Sequence, residues 1–295
     1  MFLKAIGKMI GDTVLFPVNQ PFPKTPEDYG ISFRNVEFNT KDGVKLSGWL
    51  LNEKAQKVII MTHFGYRANR FGYQTKYQPF LTKPYKKEIE FVKVAKRLTD
   101  KGYSVLMYDM RNHGISGKSK LACGTGGYDE RFDVLAAVEF VRINESTKGK
   151  NIGLLSYCMG LNATFFAFDE DENKFLHNNV KALVGMQPLG NADFLKAYGI
   201  KGAIYRHADE HYKKHTGISL DYPIVPAIKK VTVPTLLCQG RNDPWTNLEF
   251  IDEVFKKLPK EKEMYFMEEP THRFDGYNWF YDHPEKMINW FNKYV

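Results

Sequence analysis

The sequence predicts an α/β protein: a mostly parallel, twisted sheet with helices on both faces and a helical cap insertion. Three observations predict it. Short, continuous apolar runs alternate with segments of helical periodicity, the pattern of strands buried on both sides of a parallel sheet. One of these runs, 152–155, passes through a turn of small residues straight into a helix. A long segment, 189–230, separates two of the runs and carries helical spacing and aromatics of its own.

The elements follow in order. Residues 36–51 read as an antiparallel hairpin, because Val36-Glu37-Phe38-Asn39-Thr40 alternates apolar and polar and Asp42-Gly43 supplies a tight turn. Strands are expected at 58–61, 104–108, 152–155, 182–186, 235–238 and 264–267. Helices are expected at about 86–101, 128–144, 159–169, 248–258 and 284–294. Two insertions break the rhythm. One, 67–85, is rich in aromatics (Phe71, Tyr73, Tyr77, Phe80 and Tyr85). The other, 189–230, is expected to cap the site, with Phe194, Tyr198, Tyr205, Tyr212 and Tyr222 as an apolar ceiling. Lys213, Lys214 and His215 there should stay solvated or meet an anionic group. The whole chain, 1–295, reads as one domain with this cap inside it.

Composition excludes several classes. At 43% hydrophobic and 26% charged, the chain has the balance of a soluble globular protein. No run of about 18 apolar residues is present, so stable membrane insertion is not expected. The segment 1–18 is broken by Lys4, Lys8 and Asp12, too soon for a signal peptide. Its Phe2, Leu3, Ile6, Met9 and Ile10 have amphipathic spacing, read as a helix packed on the domain in preference to a membrane anchor. The net charge of +8 is spread over helices and loops without a nucleic-acid-binding motif, so nucleic acid is not an expected partner. Cys123, Cys158 and Cys238 form no CxxC and no even-numbered framework, which favours a reducing, cytoplasmic location and no structural zinc. No pattern indicates an oligomeric state.

The chemistry is concentrated in Ser156-Tyr157-Cys158-Met159-Gly160. A strand feeding a helix through such a turn is the layout of a nucleophile elbow, whose central residue needs small neighbours two positions away on either side. Centring on Cys158 places Ser156 and Gly160 there; centring on Ser156 places Leu154 there, which is too bulky. The nucleophile is therefore Cys158. It needs a base and a group to orient that base. A buried run ending in Gly240-Arg241-Asn242-Asp243-Pro244 presents Asp243, and a loop after 264–267 carries His272. All three residues follow the C-terminal ends of expected parallel strands, the edge where open α/β sheets place ligands. Asp109 is a weaker alternative acid, Asp275 fits the order poorly, and His113 is expected to stabilise its own loop.

With these motifs the chain resembles the α/β-hydrolase superfamily over nearly its whole length. The likeness includes Ser156-x-Cys158-x-Gly160, Gly240-x-x-Asp243-Pro244 and His272-Arg273-Phe274. It also includes Asp109-x-Arg111-x-His113-Gly114-x-Ser116, in which Asn112 stands where the family usually has Gly. A cysteine at the elbow is similar to dienelactone hydrolases and to some cysteine acyltransferases of the same fold. The resemblance implies a Cys158–His272–Asp243 triad acting on a small-molecule ester, thioester or lactone through an acyl-thioester. An acyltransferase using the same intermediate is the alternative, and a redox-sensing or non-catalytic binding protein a third. No organic cofactor or metal is implied. The oxyanion hole would combine the Met159 N–H with one from His63-Phe64-Gly65-Tyr66. If Gly65 matches the family glycine the donor is Tyr66, the assignment preferred here; if His63 matches the family histidine, the donor is Gly65.

Two other features are read blandly. His207, His211 and His215 share a helix face, but Asp209 and Glu210 are expected to point elsewhere, so a solvated basic face is expected in preference to a metal site. Gly124-Thr125-Gly126-Gly127 precedes a helix without a strand before it, and so reads as a loop and not a phosphate cradle.

Overall fold

The computed structural model of the chain describes residues 2–77, 87–259 and 261–295. Helix α1 (Phe2–Leu15) leads into the hairpin of β1 (Phe33–Asn39) and β2 (Lys45–Leu51), paired antiparallel with Val36 opposite Gly48. β3 (Lys57–Thr62) follows. β4 (Gly72–Tyr73) and β5 (Ile89–Glu90) then make a small ladder of their own, after which come α2 (Phe91–Asp100), β6 (Tyr103–Tyr108) and α3 (Arg131–Ile143). β7 (Asn151–Tyr157) runs into α4 (Met159–Glu170), α5 (Glu172–His177) and β8 (Val180–Met186). The long insertion holds α6 (Asn191–Ala197), α7 (Gly202–Thr216) and α8 (Val225–Ile228). The chain closes with β9 (Thr235–Gly240), α9 (Leu248–Lys257), β10 (Lys262–Met267), α10 (Arg273–Asp282) and α11 (Glu285–Tyr294).

The central sheet has the order β1-β2-β6-β3-β7-β8-β9-β10. From β6 to β10 neighbours pair in parallel, while β2 is antiparallel to both β1 and β6. Its side chains alternate between two cores, as the strand period requires. Val58, Ile60 and Leu106 face α3, α4 and α9 through Val138, Leu161 and Val254. Ile59, Met61 and Val105 face α2, α10 and α11 through Leu98, Phe274 and Phe291. Strands buried on both sides show no polar face, which explains their continuous apolar runs.

Three differences from the sequence reading matter. The helix expected from 86 begins at Phe91, because Ile89–Glu90 pair with Gly72–Tyr73; residue 86 itself, with Phe80 and Tyr85 of the first insertion, lies outside the described residues. The loop expected to carry His272 is there, but it ends at that residue, which caps α10, a helix the sequence reading did not place; the buried face of α10 includes the charged Arg273 while Trp279 lies on another side, so hydropathy alone shows no apolar stripe. The last part of the long insertion returns to the main core through Ile224, Ala227 and Ile228. Helix α1 packs on the domain as expected, along α7, and Leu15, Leu195, Ala208 and Tyr212 make a third small core. Gly7 and Gly11 permit that approach: a Cβ on Gly11 would lie 3.2 Å from the Ala208 carbonyl oxygen, and one on Gly7 would run into His207.

Candidate active site

Cys158 lies between the last residue of β7 and the first of α4. Its backbone is at φ 49°, ψ −110°, a left-handed conformation costly for a side chain that bears a Cβ. The surroundings hold it there. Its N–H donates to the Met186 carbonyl at 2.8 Å, and its own carbonyl accepts from Asn162 N–H at 2.9 Å. Gly160 has no room for a side chain: a Cβ would be 2.5 Å from the His63 carbonyl oxygen and 2.7 Å from that of Thr62. Ser156 is buried, and its hydroxyl meets Thr164 Oγ1 at 2.8 Å, away from the cavity. Cys158 is half-buried and lines the cavity.

That cavity, about 270 Å³, lies over the C-terminal edge of the sheet. Phe64, Phe274 and Tyr277 form its floor, and Phe194 and Tyr198 of the insertion close over it. Ile10, Thr13 and Val14 of α1 form a further wall that the sequence did not reveal. Among the described residues that line it, none is charged. The expected ceiling is thus partly corrected. Tyr205 bonds Asp221, Tyr212 is buried inside the third core, and Tyr222 packs edge-on against Tyr128. Lys213 pairs with Asp209 at 2.8 Å and lies outside the cavity, as does His215, so neither meets a substrate anion there. The expectation that Glu210 points away from the α7 histidines is corrected: one turn along the helix it meets His207 at 3.0 Å, while His211 reaches Asp12 of α1 at 2.7 Å.

Gly65 is pressed against the Met159 side chain, which brings the 63–66 loop beside the start of α4. Tyr66 has φ 67°, and Gly65, Tyr66 and Met159 all line the cavity with Cys158. Met159 is the first residue of α4, and an N–H at that position has no partner within its own helix. His63 is buried below this loop and accepts from Met110 N–H at 3.1 Å; burial, with His113 nearby, pushes its imidazole well below the ordinary range. It is a neutral strut.

Asp243 follows β9 and is almost fully buried. Oδ1 accepts the Trp245 N–H at 3.0 Å; Oδ2 accepts the Thr246 hydroxyl at 2.9 Å and Gln239 Nε2 at 3.2 Å. Oδ2 also pairs with Arg273 Nη2 at 2.7 Å, an ion pair with both side chains 1% exposed. His272 caps α10 with Nδ1, which accepts Phe274 N–H over a long 3.3 Å, and its ring meets Trp245 edge-on at 5.0 Å. Burial lowers the imidazole below its ordinary value, and the Asp243 carboxylate pulls it part of the way back. The acid and the histidine are therefore electrostatic neighbours, and the Trp245, Phe274 and Tyr277 side chains around them line the cavity that Cys158 opens into.

Three partners were missed. Arg273 donates to the Tyr277 hydroxyl at 3.0 Å and to the Gln187 carbonyl at 2.6 Å. Tyr277 is buried with its phenol towards Cys158, and burial raises it well above its ordinary range. Gln187 ties the ends of β8 and β9 to α10, accepting Gly240 N–H and donating to the Arg273 carbonyl. The signal was the spacing of Arg273 and Tyr277, one helical turn apart, which is legible only once 273–282 is known to be a helix. The other expected motif residues stand apart from the cavity. Asp109 pairs with Arg70 at 3.3 Å with both side chains fully buried, and His113 Nδ1 lies 2.8 Å from the Arg111 carbonyl of its own loop.

No protein-family model and no curated protein matches the chain. Solved structures do. An esterase of Pyrococcus furiosus superposes with a TM-score of 0.72 at 22% identity, over 95% of this chain and 98% of its own. A dienelactone hydrolase from Anabaena variabilis gives 0.57 at 16%, over 90% and 99%. An esterase from Exiguobacterium antarcticum gives 0.56 at 17%, over 87% and 97%. At these identities the likeness is one of fold.

Proposed function

We propose that this chain, which has the α/β-hydrolase fold of those structures, hydrolyses an uncharged ester, thioester or lactone through an acyl group carried on Cys158. The observation that carries this reading is the strained turn. A cysteine is held at φ 49° at the mouth of an apolar cavity while the neighbouring Ser156 is turned into the core. Strain of this kind persists where the surroundings over-determine it, and it collects at functional sites.

The chemistry follows from the residues. His272 takes the proton of the Cys158 thiol as the sulfur attacks the carbonyl carbon. In that role the imidazole keeps its own proton on Nδ1, exchanging the long Phe274 bond for Asp243 Oδ1, and presents Nε2 to the sulfur. The Met159 and Tyr66 N–H groups stabilise the oxyanion. Collapse expels the alcohol or thiol, which takes the proton from His272. Water then attacks the thioester with His272 again as base, the C–S bond breaks as His272 returns the proton to the Cys158 sulfur, and the acid leaves. Each step uses side chains of this chain and water, so the chemistry calls for no metal or organic cofactor. Arg273 neutralises part of the Asp243 charge and lends the Tyr277 phenol a hydrogen bond, so the phenol's own proton is available to the sulfur.

A thioester intermediate also reacts readily with amines and thiols, so acyl transfer is the second reading. Intact-mass analysis after mixing with activated esters tests both. A mass increase equal to the acyl group, lost in Cys158→Ala, is expected; no increase with any ester or thioester of a panel would sink the proposal. Free acid as the product marks hydrolysis, and an adduct formed with added amine or thiol marks transfer.

A further inference from the structure

Helix α1 has three sides, and only two are accounted for by the fold. Gly7, Gly11 and Leu15 are buried against the cap, and Ile10, Thr13 and Val14 flank the cavity that Cys158 opens into. The third side is in water. Phe2 is 77% exposed, Met9 56% and Phe16 41%. Phe2 and Met9 are seven residues apart, close to two helical turns, so they lie on one line along the helix, while Phe16, just beyond its end, rests edge-on against His215. Leu3 and, just beyond the helix, Val18 are exposed as well. Exposed apolar side chains gathered on one short segment mark an interaction surface, where scattered ones would need no explanation.

We infer that this outer side of α1 docks the protein on an anionic lipid surface, from which an uncharged ester passes to the cavity on the helix's neighbouring flank. Three observations select that occupant. Lys4 and Lys8 are exposed on the flank between that line and α7, where Lys4 lies near Glu210, and the helix's one acid, Asp12, is engaged by His211, so α1 itself carries positive charge beside the apolar line. The chain as a whole carries +8, which favours approach to an anionic surface. The docking helix is itself a wall of the cavity, so a molecule leaving the lipid crosses one helix flank and does not have to enter water. Among the described residues no helix is long and apolar enough to cross a membrane. A 14-residue amphipathic helix lies in the interface instead. The docking half of the inference stands on α1 alone, whereas the delivery half rests on the ester-cleaving reading above.

Flotation of the full chain with vesicles tests it. The protein should rise with vesicles of phosphatidylglycerol and phosphatidylcholine in equal parts, and bind pure phosphatidylcholine about tenfold more weakly. Phe2→Ser combined with Met9→Ser changes only exposed side chains and should weaken binding about tenfold or more, with an unchanged melting temperature. Lys4→Glu with Lys8→Glu should do the same on anionic vesicles only. Failure of the wild type to float, or equal flotation of the double serine variant, overturns the inference. So does a dimer in sedimentation that the serine variant disperses, since a second copy of the chain would then be the occupant. An ester embedded in the vesicles separates the two halves. If the protein floats and cleaves dissolved esters but leaves that ester intact, docking stands and delivery falls; if it floats and cleaves neither, the ester-cleaving reading falls; if it cleaves dissolved esters but does not float, docking falls.

Discussion

Cys158 differs from the other two cysteines in backbone, exposure and surroundings at once. Cys123 is buried and its thiol is pushed up to about 11; Cys238 is fully buried and its thiol is pushed well above its ordinary value. Thiolate is the reactive form, so iodoacetamide at neutral pH should label Cys158 about tenfold faster than either. Peptide mapping with equal labelling of all three would remove Cys158 from its role. Cys158→Ala should abolish ester turnover with no loss of cooperative unfolding, and Cys158→Ser should keep a small residue of it, because either atom fits the turn. Asp243→Asn has two readouts. Asp243 holds the His272 imidazole up, so its loss should move the acid limb of the kcat/KM profile to lower pH while the rate falls about 10²-fold or more. It also leaves Arg273 buried without its ion-pair partner, which should cost about 3–5 kcal/mol in urea denaturation. A displaced acid limb without a stability change would mean that Arg273 finds another anion. At this scale what was legible in the sequence is position: Cys158 in a strand-to-helix turn, and Asp243 and His272 after strand ends, because an elbow and a strand end are local structures. Arg273 and Tyr277 were not, because their meaning lies in a helix whose apolar residues face several sides at once.

The elements place these residues, and their demands are steric. A methyl on Gly160 would meet two main-chain oxygens of β3 and the loop after it, and backbone cannot give way as a side chain tip can. Gly160→Ala should therefore destabilise the fold by about 1–3 kcal/mol and depress labelling of Cys158. Wild-type stability in that variant would show that α4 can slide. The α1–α7 contact invites the complementary test. Gly7→Leu should lift α1 from α7, opening 2–15 to proteolysis while the main sheet melts at nearly the wild-type temperature. The helix also walls the cavity, so the kcat/KM ranking of acyl chains should change in the same variant. Tyr198→Ala should change that ranking as well, whereas Tyr205→Ala should not, because Tyr205 faces Asp221 outside the cavity. A ranking that follows Tyr205 and ignores Tyr198 would contradict the cavity as described. The hairpin, the six later strands and five of the helices (α2, α3, α4, α9 and α11) were legible from period and punctuation. The short α5, β4 and β5 were not, since two to six residues carry too little pattern to stand out.

At the scale of the molecule, two buried charge knots hold the loop after β6 under the site. Arg70 pairs with Asp109, and Arg111 joins Asp133 at 2.8 Å and Asp42 at 2.8 Å. Breaking one side of such a pair strands a charge, so Asp109→Ala should lose about 3–5 kcal/mol of stability, read from the urea midpoint. A loss below about 1 kcal/mol would mean that water or another cation reaches Arg70. By itself the sequence determined the layered α/β architecture, the strand order along the chain, the elbow at Cys158 and the strand-end positions of Asp243 and His272. These rest on periodicity, turn chemistry and the size of neighbouring residues, which act over a few positions. Only the tertiary structure decided that Arg273 pairs with Asp243, that Tyr277 faces Cys158, and that α1 becomes a wall of the cavity and a partner of α7. Those contacts join residues that are neighbours only after the sheet has assembled. Ile10 and Cys158, for example, line one cavity but lie far apart in the chain, and no local pattern encodes a distance of that kind.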